Sequence, residues 1–479
     1  MGVAFSDYER KKEGKILDLE LIILIVMIGV FLLGNFLLHL PVSLGMALSA
    51  VLGILVYCIF GTGEFSDIGR NLFEGTFAYL DTVLIIAMAM IFMTFIQESG
   101  AMGALNNAIV TRFYKHPVVM LILLMIIVMF PGMITGSSTA SVLAAGSIVA
   151  PILIMIGVPK AKTGAVIAMG AILGMAAPPV NVPALLIAGG VDMPYSGFDV
   201  PLLLITLICA IITVLMICLK YCKKIDIEAL KPHLDAETSK KYGFKVYIPV
   251  IILGLILILR MIPSILDIFG AEGDFVDLMT TISSKIASIA MPLTFLGCAI
   301  IAIFTGKKFN LIKSCRDSLN TTVPVLGKLM GVGMFIQVLT YTGARGWIVS
   351  ACLSLGSVGG KASVIAIILL MAAVAIICPM FGAVSSYGSA TVLGVPLLIV
   401  FMDVAFPANN QVIMACAIAT IVCCGDLMPP TALSGNYAAD LVEEPYSKVL
   451  PHCGLPVLIT IVICLAVLFF ADKLAFLAG

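Results

Sequence analysis

Charge is the scarcest commodity in this chain. Only 11% of its 479 residues are Asp, Glu, Lys or Arg, while 61% are hydrophobic; a soluble globular chain carries about a quarter charged residues. A water-solvated fold is excluded, and the bilayer is the expected solvent. Histidine is rarer still: the four (His39, His116, His233 and His452) are scattered at the ends of apolar segments, so haem or zinc has no ligand set. The formal net charge is 0 and the basic residues sit in short loops, which leaves no continuous basic face to neutralise phosphates. Nucleic acid is not an expected partner. The 13 cysteines lie mostly within apolar segments, and neither Cys423-Cys424 nor the Cys218/Cys222 pair has CxxC spacing or a nearby histidine. They read as small apolar fillers. No Ser/His/Asp, His/Glu or metal constellation falls inside the apolar runs, so an enzyme is not expected.

What the chain has in abundance is uninterrupted apolar sequence. No charged residue occurs from Pro117 to Pro159 or from Ala362 to Met402, and each stretch is roughly twice the ~20 residues that one transmembrane helix needs. Each is expected to hold two membrane passes. Candidate spans fall at about 20–40, 42–60 and 82–98, followed by a paired region 117–156, an interrupted run 164–190 and a span 200–221. The same order returns after residue 245, with spans near 246–261, 286–304 and 322–340, a paired region 362–401, an interrupted run 411–436 and a final span 455–471. Local sequence returns with it. Phe95-Ile96-Gln97 recurs as Phe335-Ile336-Gln337, Ser141-Val142-Leu143 as Thr391-Val392-Leu393, and Pro178-Pro179 as Pro429-Pro430, at offsets drifting only from about 240 to about 251. This is the pattern of an internal duplication: a tail 1–19, a first repeat 20–221, a linker 222–245 and a second repeat 246–472.

The linker region carries the densest run of lysines, Lys223, Lys224, Lys231, Lys240, Lys241 and Lys245, and the positive-inside rule places it in the cytoplasm. Matching loops of the two halves then differ in charge as inverted repeats require. Gly157 to Lys162 has two lysines and its counterpart from Asp403 to Asn410 has none; Gly61 to Asp81 has only Arg70, while its counterpart carries Lys307, Lys308, Lys313 and Arg316. Both contrasts favour inversion. Arg10, Lys11, Lys12 and Lys15 oppose the external N-terminus that this count implies.

Each paired region is broken by residues that do not belong in a continuous apolar helix. The first breaks at Phe130-Pro131-Gly132-Met133-Ile134-Thr135-Gly136-Ser137-Ser138-Thr139, the second at Pro379 through Ser389, where Ser385, Ser386, Gly388 and Ser389 supply hydroxyls and freedom of turn. Non-helical backbone at membrane depth is tolerated only where it is buried in protein or lines a cavity. Two re-entrant hairpins entering from opposite sides are expected, with tips at Gly136, Ser137, Ser138 and Thr139 and at Ser385 through Ser389. The interrupted runs break at tandem prolines, Pro178-Pro179 beside Asn181 and Pro429-Pro430 beside Thr431, which remove two backbone donors and free carbonyls. Carbonyls and hydroxyls suit a small hard cation, and helix-end amides suit the oxygens of an anion. A single such break reads as a proline kink or a small-residue packing face. Four arranged symmetrically read as a central binding site.

Asp426 is the one carboxylate well inside a candidate span, where an ionisable group is costly unless paired or functional. Three readings stand: a cation ligand or proton acceptor, a cap on broken-helix amides, or a partner of Lys328. Lys328 lies early in its own span and is expected to snorkel toward the membrane edge.

The segments GSSTASVLAAGSIVAPILI and GAILGMAAPPVNVPALLIAGG resemble the large membrane (DctM-like) subunit of TRAP transporters, the tripartite ATP-independent periplasmic carriers of the ion-transporter superfamily. The resemblance covers the chain from about residue 20. It is most specific at Gly136-Ser137-Ser138 and Pro178-Pro179, and the second half follows in layout with Pro429-Pro430. Ser385-Ser386-Tyr387-Gly388 and Asp426 depart from the family form, at positions that bear on substrate class and coupling ion. The resemblance implies an all-α polytopic fold of two inverted-topology repeats working as an elevator, in the inner membrane of a bacterial or archaeal cell. It implies sodium-coupled import of a carboxylate such as a C4-dicarboxylate or sugar acid. Sodium ligands are then expected among Ser137, Ser138, Ser385 and Ser386. A small membrane subunit and an extracytoplasmic substrate-binding protein are the implied partners, with no cofactor besides the coupling ion. No GxxxxGK[ST] loop is present, as secondary transport requires. The alternatives are a stand-alone symporter or exchanger of the same superfamily, proton-coupled through Asp426, and more remotely a channel.

Overall fold

The computed structural model describes residues 18–221, 236–269, 273–287, 289–348, 350, 357–358, 361–362, 371–372, 374–380, 386–402, 410–429 and 432–478. The basic N-terminal tail, the first part of the lysine-rich linker, the loop 403–409, and Ser385, Pro430 and Thr431 lie outside the described residues. Helices dominate. The first half forms α1 Leu19–Phe36, α2 Val42–Phe60, α3 Ser66–Phe77, α4 Leu80–Glu98, α5 Ala101–Phe113, α6 Pro117–Thr135, α7 Ser138–Met155, α8 Lys160–Ala176, α9 Val182–Gly190 and α10 Asp199–Cys218. The second forms α11 Ala236–Tyr242, α12 Ile248–Phe269, α13 Asp274–Ala287, α14 Met291–Thr305, α15 Leu311–Tyr341, α16 Ser386–Val400, α17 Gln411–Cys423, α18 Leu433–Leu441 and α19 Tyr446–Phe469. A two-residue antiparallel ladder joins Ser357–Val358 to Lys361–Ala362. Among the described residues eight helical segments are long and apolar enough to cross a membrane. The chain is an all-α polytopic membrane protein.

Helices break where the sequence analysis places the breaks: α6 and α7 meet at Gly136-Ser137, α8 stops at Ala176 before the prolines, and α17 gives way to a 3₁₀ turn, Cys424–Leu427. Further helices occupy stretches expected to be loops or linker, among them α3, α5, α11 and α13. Within Gly61 to Asp81, residues Ser66–Phe77 form α3, which has too few consecutive apolar residues to register as a span. It buries Asn71 and Gly75 and exposes Phe73. Likewise α5 fills 101–113, and α11 is built from the end of the lysine-rich linker. Thr238 of α11 is buried, and the nearby Tyr247 hydroxyl donates to Ala104 O of α5 at 3.1 Å.

Two compact units divide the chain, and they cut across the two halves. The first takes residues 1–79 and 327–355, so α15 contributes only its part from Gly327 onward. Here α2 packs on α1, with Ser49 Oγ donating to Met27 O. Gly75 of α3 lies against Gly333 and Met334 of α15, a backbone approach that only glycine permits. A polar seam runs alongside. The Tyr341 hydroxyl donates to Asp67 Oδ2 at 2.6 Å, and Gln337 Nε2 reaches Asn71 Oδ1 at 3.4 Å and Glu74 Oε2 at 3.3 Å.

The second unit takes residues 80–326 and 356–479. Its centre is α8, where every residue from Thr163 to Ala176 is buried, together with α17, buried throughout from Ile413 to Cys423. A helix that is apolar all round has no solvent face to present and belongs in a core. The small residues of α8 set how closely its neighbours come. A Cβ on Gly132 of α6 would fall 2.8 Å from Met175 N, and one on Gly174 would strike Met129 O. Thus α6 and α8 touch backbone to backbone, and both core helices end at a break.

The two tip helices share local features. Each carries a π-helical turn one turn beyond its tip, Val142–Gly146 in α7 and Ala390–Gly394 in α16. In each, a serine donates to a carbonyl of the preceding arm: Ser141 Oγ to Val128 O, and Ser389 Oγ to Cys378 O at 2.9 Å. The π turns and the two serines match at an offset of 248, while the carbonyls they reach, Val128 and Cys378, and the match of Ser141 with Thr391 are offset by 250. The short apolar tripeptide slips by two residues against the local geometry.

Gly174→Ala forces α6 and α8 apart, and overpacking of this kind destabilises by about 1–3 kcal/mol. Thermal unfolding of the purified protein should show a midpoint several degrees lower. Gly254→Ala on α12, where a Cβ meets nothing within 4 Å, should leave the midpoint unchanged.

Candidate functional site

Gly136 ends α6 in the left-handed conformation at φ 64°. A Cβ there would also meet the Val182 side chain and lie 3.1 Å from Val180 O, so both conformation and space call for glycine. Ser137 opens α7, its Oγ accepting from Ala140 N at 3.3 Å, which satisfies one of the amides that a helix start leaves open. Thr135 secures the other side of the tip: its hydroxyl donates to Pro131 O at 2.7 Å and accepts from Ser137 N at 3.2 Å.

The first broken helix closes against this tip. Pro178 is buried and Pro179 half-buried; Val180 N donates to Met133 O at 3.1 Å. Asn181 caps α9 by accepting from Ala184 N at 3.0 Å, while its Nδ2 donates to Ala176 O at 2.7 Å. One side-chain amide thereby spans the break. A carbonyl expected to be freed by the prolines is recaptured, and Asn181, fully buried, holds the two helix ends at fixed separation.

Two hydrogen bonds then tie this first-half tip to the second half. Ser138 Oγ donates to Asp426 Oδ2 at 2.9 Å, and the Tyr387 hydroxyl donates to Gly136 O at 3.0 Å. Ser138 is 2% exposed and Asp426 half-buried. Asp426 is held from its own side as well: its backbone carbonyl accepts from Ser434 Oγ at 3.3 Å, and the Tyr446 hydroxyl donates to the neighbouring Leu427 O. Lys328 falls in the other compact unit.

The predicted residues therefore divide into groups. Gly136, Ser137, Ser138, Thr139, Pro178, Pro179, Asn181 and Asp426 gather around one tip and two breaks. Ser386 and Gly388 are buried at the start of α16, and the Ser389 hydroxyl turns to Cys378 of its own arm. Pro429 is exposed. Tyr387, Thr135, Ser434 and Tyr446 also bond within this cluster, though the sequence analysis did not name them as binding residues. Tyr387 sits inside the second tip motif, so its position was available; for Ser434 and Tyr446 no local signal exists. No group of three His, Cys, Asp or Glu side chains suited to a metal occurs among the described residues. The polar atoms that converge are hydroxyls, carbonyls and one carboxylate, the donor set of a small hard cation.

A hydrogen bond to a charged group contributes about 1.5–3 kcal/mol. Ser138→Ala and Asp426→Asn should each lower thermal stability. The double variant should lose less than the sum, with a coupling of about 0.5–3 kcal/mol read from a double-mutant cycle of unfolding.

Two family models match the chain. The DctM component of the tripartite ATP-independent periplasmic transporters matches residues 129–474, which takes in both tips and both breaks and begins well after residue 20. The Na+/H+ antiporter family matches residues 16–221. A search of curated proteins gives no match. A match over most of the chain, spanning the tips and breaks described above, assigns this protein to the DctM family, the TRAP-type large permease subunits.

Proposed function

We propose that the chain imports an organic anion of the C4-dicarboxylate or sugar-acid type, driven by a sodium gradient. The observation that carries this reading is the convergence of one helix-break tip, one capped proline break and the Asp426 carboxylate, joined by the Ser138–Asp426 hydrogen bond. Hydroxyls and carbonyls of Ser137, Ser138 and the second tip would coordinate sodium. The amide ends of α7 and α9 would receive the carboxylate of the substrate. The two halves would act as inverted repeats, and the unit that holds the site would move as an elevator. As in the tripartite carriers, a small membrane subunit and an extracytoplasmic binding protein would deliver the substrate at a bacterial or archaeal inner membrane.

A second reading has its own support. Asp426 is a half-buried carboxylate hydrogen-bonded at the tip, and the first half is similar to the Na+/H+ antiporter family. Proton coupling through Asp426 would need only that its protonation accompany transport.

Uptake into proteoliposomes containing the chain and its partner subunits should require an imposed sodium gradient; equal uptake without one sinks the sodium reading. Ser137→Ala and Ser138→Ala should each raise the sodium concentration for half-maximal uptake, by about tenfold for loss of one charge-assisted contact. Asp426→Asn separates the two readings. Loss of pH dependence with the sodium response intact favours the proton.

A further inference from the structure

Four lysines stand near one end of the second unit: Lys160 and Lys162 in the first turn of α8, Lys220 just after α10, and Lys448 in the first turn of α19. Two of them are neutralised. Lys160 Nζ meets Glu443 Oε2 at 2.8 Å and Lys448 Nζ meets Glu444 Oε2 at 2.9 Å. The Glu443 carboxyl, exposed to solvent outside the spans, is held below its ordinary range by the hydrogen bond from Lys160.

The other two converge on a tyrosine instead. Lys162 Nζ donates to the Tyr221 hydroxyl at 2.8 Å and lies 5.2 Å from its ring centroid; Lys220 Nζ lies 5.1 Å from the same centroid. His452 of α19 lies within electrostatic reach of both ammonium groups. Among the described residues neither Lys162 nor Lys220 has a carboxylate within ion-pair distance. Two like charges drawn to one ring, beside a histidine, form a positive cluster with no carboxylate counter-ion among the described residues.

The surface leading away from this cluster is apolar. Helix α10 packs against α19. Ile208 and Met216 on α10, Leu219 just after it, and Leu455, Leu458 and Val462 on α19 are exposed large hydrophobics. In a spanning helix such faces meet acyl chains, and lysines at its end reach for headgroups.

We propose that Lys162, Lys220, Tyr221 and His452 form a binding site for an anionic phospholipid. The headgroup phosphate lies between the two ammonium groups, and the acyl chains lie along the exposed faces of α10 and α19. Charge complementarity selects an anion, and the apolar faces select a lipid over a soluble phosphate. Because Lys162 is two residues from the start of α8, the lipid holds the end of the core helix that terminates at the Pro178-Pro179 break.

The test is lipid binding to the purified full chain by native mass spectrometry, titrating phosphatidylglycerol against phosphatidylcholine. Tighter binding of phosphatidylglycerol is expected. Lys162→Gln with Lys220→Gln should remove that preference, at about fivefold per lysine, while Lys160→Gln with Lys448→Gln should leave it intact. If the first double variant fails to fold, Lys220→Gln alone, at an exposed position, carries the fivefold expectation. Equal affinity for the two lipids, or a preference retained in the lysine variants, overturns the site. Displacement of phosphatidylglycerol by millimolar inorganic phosphate would show a soluble-anion site and overturn the lipid assignment.

Discussion

A helix that stops at membrane depth strands amides and carbonyls where water cannot reach them, and every break in this protein has to supply partners from within. At the first tip these partners are Thr135 and the Ser137 hydroxyl. At the first proline break, Asn181 bridges the two helix ends. The polar groups that make a site possible are thus largely the ones that make the breaks tolerable.

The Ser138–Asp426 and Tyr387–Gly136 hydrogen bonds join residues 288 and 251 positions apart. A gain in the first half is therefore only realised with the second half in place. Tyr387 and Asp426 are the second-half side chains that make these two contacts, and both lie in stretches, Ser385-Ser386-Tyr387-Gly388 and Asp426, that the sequence reading set apart.

Much of this was legible in the sequence, for local reasons. Proline and glycine act on their own backbone, so the tip at Gly136 and the break at Pro178-Pro179 follow from residue type. The length of a charge-free run follows from the thickness of a bilayer. The misses have physical causes too. Helix α3 is short and two-faced, so a search for long apolar runs passes over Phe73 and Phe77. The partition of the chain within α15 leaves no mark, because the helix continues through Gly327 without a break. Partners such as Ser434 and Tyr446 are ordinary residues whose role depends on which helix the fold brings beside them. The two-residue slip between Ser141 and Thr391 arises because Val-Leu pairs are common in an apolar chain, whereas the π turn marks one place.

Those π turns set the angular phase of each tip. A residue in an α-helix advances by about 100° around the axis, and a π turn takes up one additional residue before the helix resumes. Ser138 and the arm Ser147–Met155 lie on opposite sides of Val142–Gly146, so that turn works as a phase shifter between what the arm packs against and where the tip hydroxyl points. Removing a single residue there would let the helix run on as regular α while rotating Ser138 by more than a quarter-turn away from Asp426. The same geometry at Ala390–Gly394 sets the phase of Tyr387. The aim of both tips is therefore governed by the residue count of two short turns as much as by the chemistry of the tips themselves.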